Sequence, residues 1–162
     1  MCSDATKEHY LYPGNIFAST EPHIVTTVLG SCVSVCLWDS RMHAGGINHY
    51  MLPLWNGEGL ATPKYGNIAI SKLYEKMLSL GCRHKDLRAK IFGGGEVLAV
   101  TNAVLNVGER NIIIARDMLK ELKISIISSD VGGRTGRKML FNTSTGSVML
   151  KKLSKQIDDF RP

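Results

Sequence analysis

Apolar and polar residues alternate along Val33-Ser34-Val35-Cys36-Leu37. Strand periodicity therefore places Val33, Val35 and Leu37 on one face. The β-branched run Ile24-Val25-Thr26-Thr27-Val28-Leu29 predicts a preceding strand. Gly45 to Leu52 forms a further apolar segment, and Leu87 to Phe92 alternates as a strand with one wet face. Ile124 to Ser128 predicts another strand, and Lys138–Asn142 and Ser147–Leu153 flank a hairpin turn at residues 143–146. Helical spacing appears twice. Ile70, Leu73, Tyr74, Met77 and Leu78 form a stripe between Asn67, a good N-cap, and Gly81, a good C-terminal stop. Ile112, Ala115, Met118, Leu119 and Leu122 form a second stripe over roughly 109–122. Residues 1–8 read as a loose tail, Tyr10–Ile16 as an extended piece broken by Pro13-Gly14, and the chain after Leu153 as a polar tail. Many strands, a few hairpins and two helices predict an α+β class.

The turn-like Asp39-Ser40-Arg41-Met42 joins the strand of Cys32 to the segment of His49. A hairpin centred between Ser40 and Arg41 pairs Cys32 directly with His49. Opposed side chains share a face, with Cβ atoms roughly 4.5–5.5 Å apart. A thiol beside an imidazole is the pattern of nucleophilic catalysis, because the imidazole can take the thiol proton. A third polar group normally orients the imidazole. Thr26 and Thr27, on the incoming strand, are the candidates. The competing reading is two buried, inert residues.

The chain has 162 residues, 44% of them hydrophobic and 21% charged, which predicts one soluble domain with a proper core. It lacks an apolar run long enough for a membrane span, and its first residues lack the apolar core of a signal peptide. The expected location is the cytoplasm, with Cys2, Cys32, Cys36 and Cys82 as reduced thiols. A net charge of +6 raises nucleic acid as a partner. The basic residues are scattered and aromatics are few, so a solvated surface, or one suited to an acidic protein, is the expectation.

Other motifs lead to weaker chemistry. Cys32, Cys36, His43 and His49 mimic a zinc set. On a strand the two cysteines stand roughly 13 Å apart at ~3.3 Å per residue, too far for sulfurs bound at ~2.3 Å from one metal. Cys82 and His84 read as an exposed polar bend. Gly132-Gly133-Arg134-Thr135-Gly136-Arg137-Lys138 lacks the phosphate-loop spacing, with Met139 where Ser or Thr belongs. It is a solvated turn or a basic rim. The polar loop 56–64 follows His49 closely, as a substrate rim or a plain connector.

Leu29-Gly30-Ser31-Cys32-Val33-Ser34-Val35-Cys36 and Gly45-Gly46-Ile47-Asn48-His49-Tyr50-Met51-Leu52-Pro53 closely resemble the CheD family of bacterial chemotaxis. So do Ala89–Gly95, Asn106–Asn111 and Asp130–Lys138, so that the resemblance spans roughly residues 10–153 of a domain over 1–162. It implies a chemoreceptor glutamine deamidase with Cys32 as nucleophile, His49 as catalytic histidine and Thr26, six positions before Cys32, as third residue. It implies no cofactor and no metal. It also implies packed β-sheets with flanking helices, like the catalytic fold of the cytotoxic necrotizing factors. The implied partners are the cytoplasmic domain of a methyl-accepting chemoreceptor and a CheC-like phosphatase, with no nucleic acid and no membrane insertion. The alternatives are a regulatory binding module for such a phosphatase, and a cysteine peptidase or transglutaminase. Asn48 stands where the family pattern suggests a small residue such as Ala.

Overall fold

Two sheets divide the strands, and one of them carries both helices. A computed structural model describes residues 5–96 and 106–153. The elements are β1 (Lys7–Tyr10), β2 (Ile16–Ser19), β3 (His23–Leu29), β4 (Val33–Asp39), β5 (Ala44–Asn48), α1 (Gly66–Ser79), β6 (Leu87–Gly93), α2 (Val107–Leu122), β7 (Ser125–Val131), β8 (Arg137–Asn142) and β9 (Val148–Lys152). The first sheet runs β1-β3-β8-β9 and the second β2-β5-β4-β6-β7. Both are mixed. β1 pairs parallel with β3 and β6 parallel with β7, while the other pairs are antiparallel.

Strand alternation generates the layers. Val33, Val35 and Leu37 of β4 pack with Ile70, Leu73 and Met77 of α1 and with Ile112, Ala115 and Leu119 of α2. The opposite face of the same sheet supplies Cys36, Ile47 and Phe92. These pack with Val25, Leu29, Met139 and Phe141 of the first sheet. The second sheet is thus the middle layer; β4 and β5 at its centre are buried on both faces, while β7 at its edge is largely exposed. Each fully buried Leu, Ile or Phe there contributes about 1.5–3 kcal/mol relative to exposure.

The predicted α+β class, the two helices and most strands match this architecture. Three local readings change. Lys7–Tyr10 is a strand rather than a loose tail, because its backbone pairs with β3 even though every side chain but that of the half-buried His9 is exposed. Asn67 does not cap α1. Its Oδ1 accepts the Trp55 N–H at 3.0 Å, and Tyr65 occupies the cap position. Cys82 is buried against the helix-side core rather than exposed. The polar tail expected after Leu153 lies outside the described residues. No helix among the described residues is long and apolar enough to cross a membrane.

Candidate active site

His49 follows β5 directly. Its backbone is held by β2's approach segment: the His49 N–H donates to Asn15 O and the Gly14 N–H donates to His49 O. Ile47, two residues earlier, faces the sandwich interior, so strand alternation aims the His49 ring there too. His49 is 2% exposed. It meets Thr27 of β3 on the facing sheet, with His49 Nδ1 and Thr27 Oγ1 separated by 2.7 Å.

That contact defines the histidine's protonation pattern. Thr27 has one hydroxyl hydrogen, and Leu11 O, 2.8 Å away, can only accept it. The Thr27 oxygen then accepts from His49 Nδ1–H. Nε2 is left with a free lone pair, the form of imidazole that takes a proton. Nε2 has no hydrogen-bond partner among the described residues. Burial lowers the histidine pKa to about 4, so the ring is neutral at pH 7.

Cys32 precedes β4 and is half-buried. The turn between β4 and β5 contains Ser40–His43, one residue later in centre than the symmetric hairpin expected from sequence. Asp39 Oδ1 builds it by accepting the Arg41 and Met42 N–H groups. Cys36 therefore pairs with Ile47 and Val33 with Tyr50. His49 falls opposite Ser34, not Cys32. The register differs by two, and an even shift preserves the face. Cys32 and His49 remain diagonal neighbours on the sandwich side. Between the two ladder segments, Val35 N–H donates to Asn48 Oδ1 at 2.8 Å, so Asn48 stitches β5 to β4 on the face away from His49.

Burial raises the Cys32 thiol above its ordinary value, and its own backbone N–H, lying against the sulfur, pulls the other way. That N–H lacks the ladder partner its position calls for. Gly94 N–H donates to Cys32 O at 2.8 Å, and no bond returns from Cys32 N–H to Gly94 O among the described residues. The reason is the left-handed Gly94, φ +69°. Its carbonyl turns toward α2, where the oxygen lies 2.6 Å from the place a Cβ on Gly108 would occupy. Glycine at both positions permits this approach.

Thr26 does not join the site. Val25, Thr27 and Leu29 are fully buried, and alternation turns Thr26 to the outer face of the first sheet. There it lines a groove with Glu8, Tyr10, Val28 and Lys138. Thr27 occupies the position expected of Thr26. The strand parity set by Val25 and Leu29 was the available signal. Cys36 is buried in the inter-sheet core, where desolvation holds it strongly protonated. Cys82 is pushed up to about 12 by burial and by Asp39. No group of three or more potential metal-ligating side chains occurs among the described residues.

The glycine-rich loop after β7 is not merely solvated. Arg137, 1% exposed, turns inward and donates to Asp130 Oδ1 and to the Gly132 and Thr135 carbonyls. Its charge is spent inside the fold. The loop 56–64 ends against the site segment, with Lys64 O accepting the Met51 and Leu52 N–H groups.

A protein-family model described as CheD chemotactic sensory transduction matches residues 51–152. That match begins just after His49. Whole-chain relatives extend it. A probable chemoreceptor glutamine deamidase CheD of Trichlorobacter lovleyi is 51% identical over 93% of each chain. One of Sulfurimonas denitrificans is 50% identical over 92% of this chain and 96% of its own. A third, the second such protein of Geobacter sulfurreducens, is 40% identical over 90% of each.

Proposed function

Because the chain belongs to the CheD family, we propose that it hydrolyses glutamine side-chain amides of bacterial chemoreceptors to glutamate, with Cys32 as nucleophile and His49 as base. The observation that carries the reading is the buried His49–Thr27 pair, which leaves Nε2 unprotonated on the same sheet face as a half-buried thiol.

The chemistry runs in two halves. His49 Nε2 takes the thiol proton as Sγ attacks the carboxamide carbon. The Cys32 N–H, without a ladder acceptor, donates to the oxyanion; removing such a donor typically costs about 10²–10³-fold in rate. His49 returns the proton to the amide nitrogen, the C–N bond breaks and ammonia leaves. The acyl group stays on sulfur as a thioester. Water, deprotonated by His49, adds to that carbon, the C–S bond breaks and the thiol is restored. Thr27 keeps the proton on Nδ1 throughout, so the working nitrogen is always Nε2. No metal or organic cofactor enters this sequence.

We extend the same reading to the surroundings. On this reading the chain is one deamidase domain with the cytotoxic necrotizing factor catalytic arrangement; two packed sheets with helices on one outer face support it. Its substrate is the cytoplasmic part of the receptor, which makes the cytoplasm its place of action. A CheC-type phosphatase is its second partner. A buried histidine held in its basic tautomer favours catalysis over a purely regulatory role. Pull-down of that phosphatase with wild type and Cys32→Ala separates binding from chemistry.

The test is incubation with a receptor cytoplasmic fragment followed by mass measurement. Each converted glutamine gains about one dalton, the replacement of –NH₂ by –OH that thioester hydrolysis leaves. Wild type is expected to produce it with ammonia release and no peptide cleavage or amine crosslinking. Cys32→Ala and His49→Ala are expected not to. Full activity of Cys32→Ala sinks the covalent mechanism.

A further inference from the structure

We propose that Asn111 is a positioning residue that sets the spacing of Cys32 and His49 by holding together the two chain segments that carry them. The proposal rests on the deamidase reading above for its role, and on separate geometry for its existence.

The β4–β5 ladder ends at Val33 and Tyr50, which exchange both backbone hydrogen bonds. Past that pair the two segments diverge. The Met51 and Leu52 N–H groups turn away to Lys64 O. Ser31 and Cys32 thus have no further sheet bonding to the segment after His49. Asn111 fills this place. Its Nδ2 donates to Ser31 O at 3.0 Å and to Met51 O at 3.1 Å. A carboxamide nitrogen has two protons, and both are used. Both partners are carbonyls, so the nitrogen is assigned without ambiguity. Ser31 adjoins the nucleophile, and Met51 lies two residues beyond the histidine.

The clamp has a rigid base. Asn111 is fully buried in α2, which Ile112, Ala115 and Leu119 seat in the helix-side core. Its own carbonyl accepts the Tyr50 hydroxyl at 2.5 Å, which ties it to the residue next to His49. The start of α2 is fixed by Asn106, whose side chain accepts the Glu109 N–H. Asn111 therefore touches neither reacting group and acts through the backbone on both sides of them. Displacement of a reacting group by about 1 Å can cost roughly 10²-fold in rate.

The experiment compares wild type, Asn111→Ala and Asn111→Ser in two assays. The first is kcat and KM for deamidation of a receptor fragment. The second needs no turnover: the rate of iodoacetamide alkylation at Cys32 as a function of pH, read by peptide mass, with Cys36 and Cys82 as internal controls. Loss of the clamp is expected to lower kcat at least tenfold and to leave KM within about threefold. It is also expected to free the Cys32 segment from burial, so that Cys32 alkylates faster and at lower pH while Cys36 and Cys82 stay protected. Asn111→Ser, which keeps one donor, is expected to fall between, and carries the test if Asn111→Ala does not fold. A Cys32 alkylation profile identical to wild type overturns the proposal whatever happens to kcat. So does simultaneous exposure of all three thiols, which means a scaffold role only. If wild type deamidates nothing but the Cys32 profile still shifts, the clamp stands and the deamidase reading falls.

Discussion

The Thr27 hydroxyl on one sheet and the His49 imidazole on the other meet at 2.7 Å, and Leu11 O takes the only hydroxyl proton. Thr27 is therefore an acceptor toward Nδ1. Thr27→Val keeps the shape and removes the acceptor. It is expected to lower kcat by roughly 10²-fold, within the range for loss of positioned base catalysis, and to cost about 1–3 kcal/mol from the unpaired Nδ1–H and Leu11 O. Thr27→Ser is expected to retain most activity. Thr26→Ala, on the outer face, is expected to stay within about twofold in kcat. Steady-state rates and urea melts on the three variants check this.

His49 gives a signed pH dependence. Its folded pKa of about 4 lies below the ordinary 6.5. Between those values the unfolded chain binds more protons than the folded one, so stability rises with pH across that window and is lost as pH falls through it. The slope reaches about 1.4 kcal/mol per pH unit, for a total of roughly 3 kcal/mol. His49→Gln is expected to flatten that part of the stability profile. The acid limb of kcat/KM in wild type is expected near pH 4 rather than 6.5.

Cys32 and His49 are both neutral in the resting protein, since burial raises one and lowers the other. The pair is not a preformed thiolate–imidazolium. Alkylation of wild-type Cys32 is expected to be slow at pH 7 and to keep rising past pH ~9, without the neutral-pH plateau of a low-pKa thiol. Cys32→Ala is expected to lower deamidation at least ~10³-fold and to change stability by less than about 1 kcal/mol.

Gly93 lies against the Cys32 carbonyl. A Cβ there would sit 2.2 Å from Cys32 O, at φ +106°. Gly93→Ala is expected to destabilise by more than about 2 kcal/mol and to lower kcat by displacing Cys32. Gly132, φ +79°, has open space around it. Gly132→Ala is expected to cost only about 1–2 kcal/mol of backbone strain with kcat unchanged. Denaturant melts paired with rates distinguish the two.

The sequence carried the Cys32–His49 face because strand parity survives an even slip of register; the Asx turn at Asp39 moved the pairing by two and left both side chains pointing inward. Thr27 was equally readable from Val25 and Leu29, but motif spacing favoured Thr26. Asn111 falls on the same helical stripe as Ala115 and Leu119, and a polar residue there marked a buried role that periodicity alone did not reveal. β1 was hidden because Lys7-Glu8-His9 has no apolar face; it is placed by backbone pairing with β3 and by the stack of His9 on Phe17. The parallel pairings of β1 with β3 and β6 with β7 join segments distant in sequence or separated by a crossover, which local pattern does not encode.

His49 and Thr27 come from different sheets, joined across the inter-sheet core rather than along one chain segment. With His49 as the proposed base, activity becomes a gauge of how firmly the two layers are closed. On the proposed mechanism, a partly loosened molecule that keeps its strands and helices but lets the layers slide apart would still look folded by far-ultraviolet circular dichroism while turning over nothing.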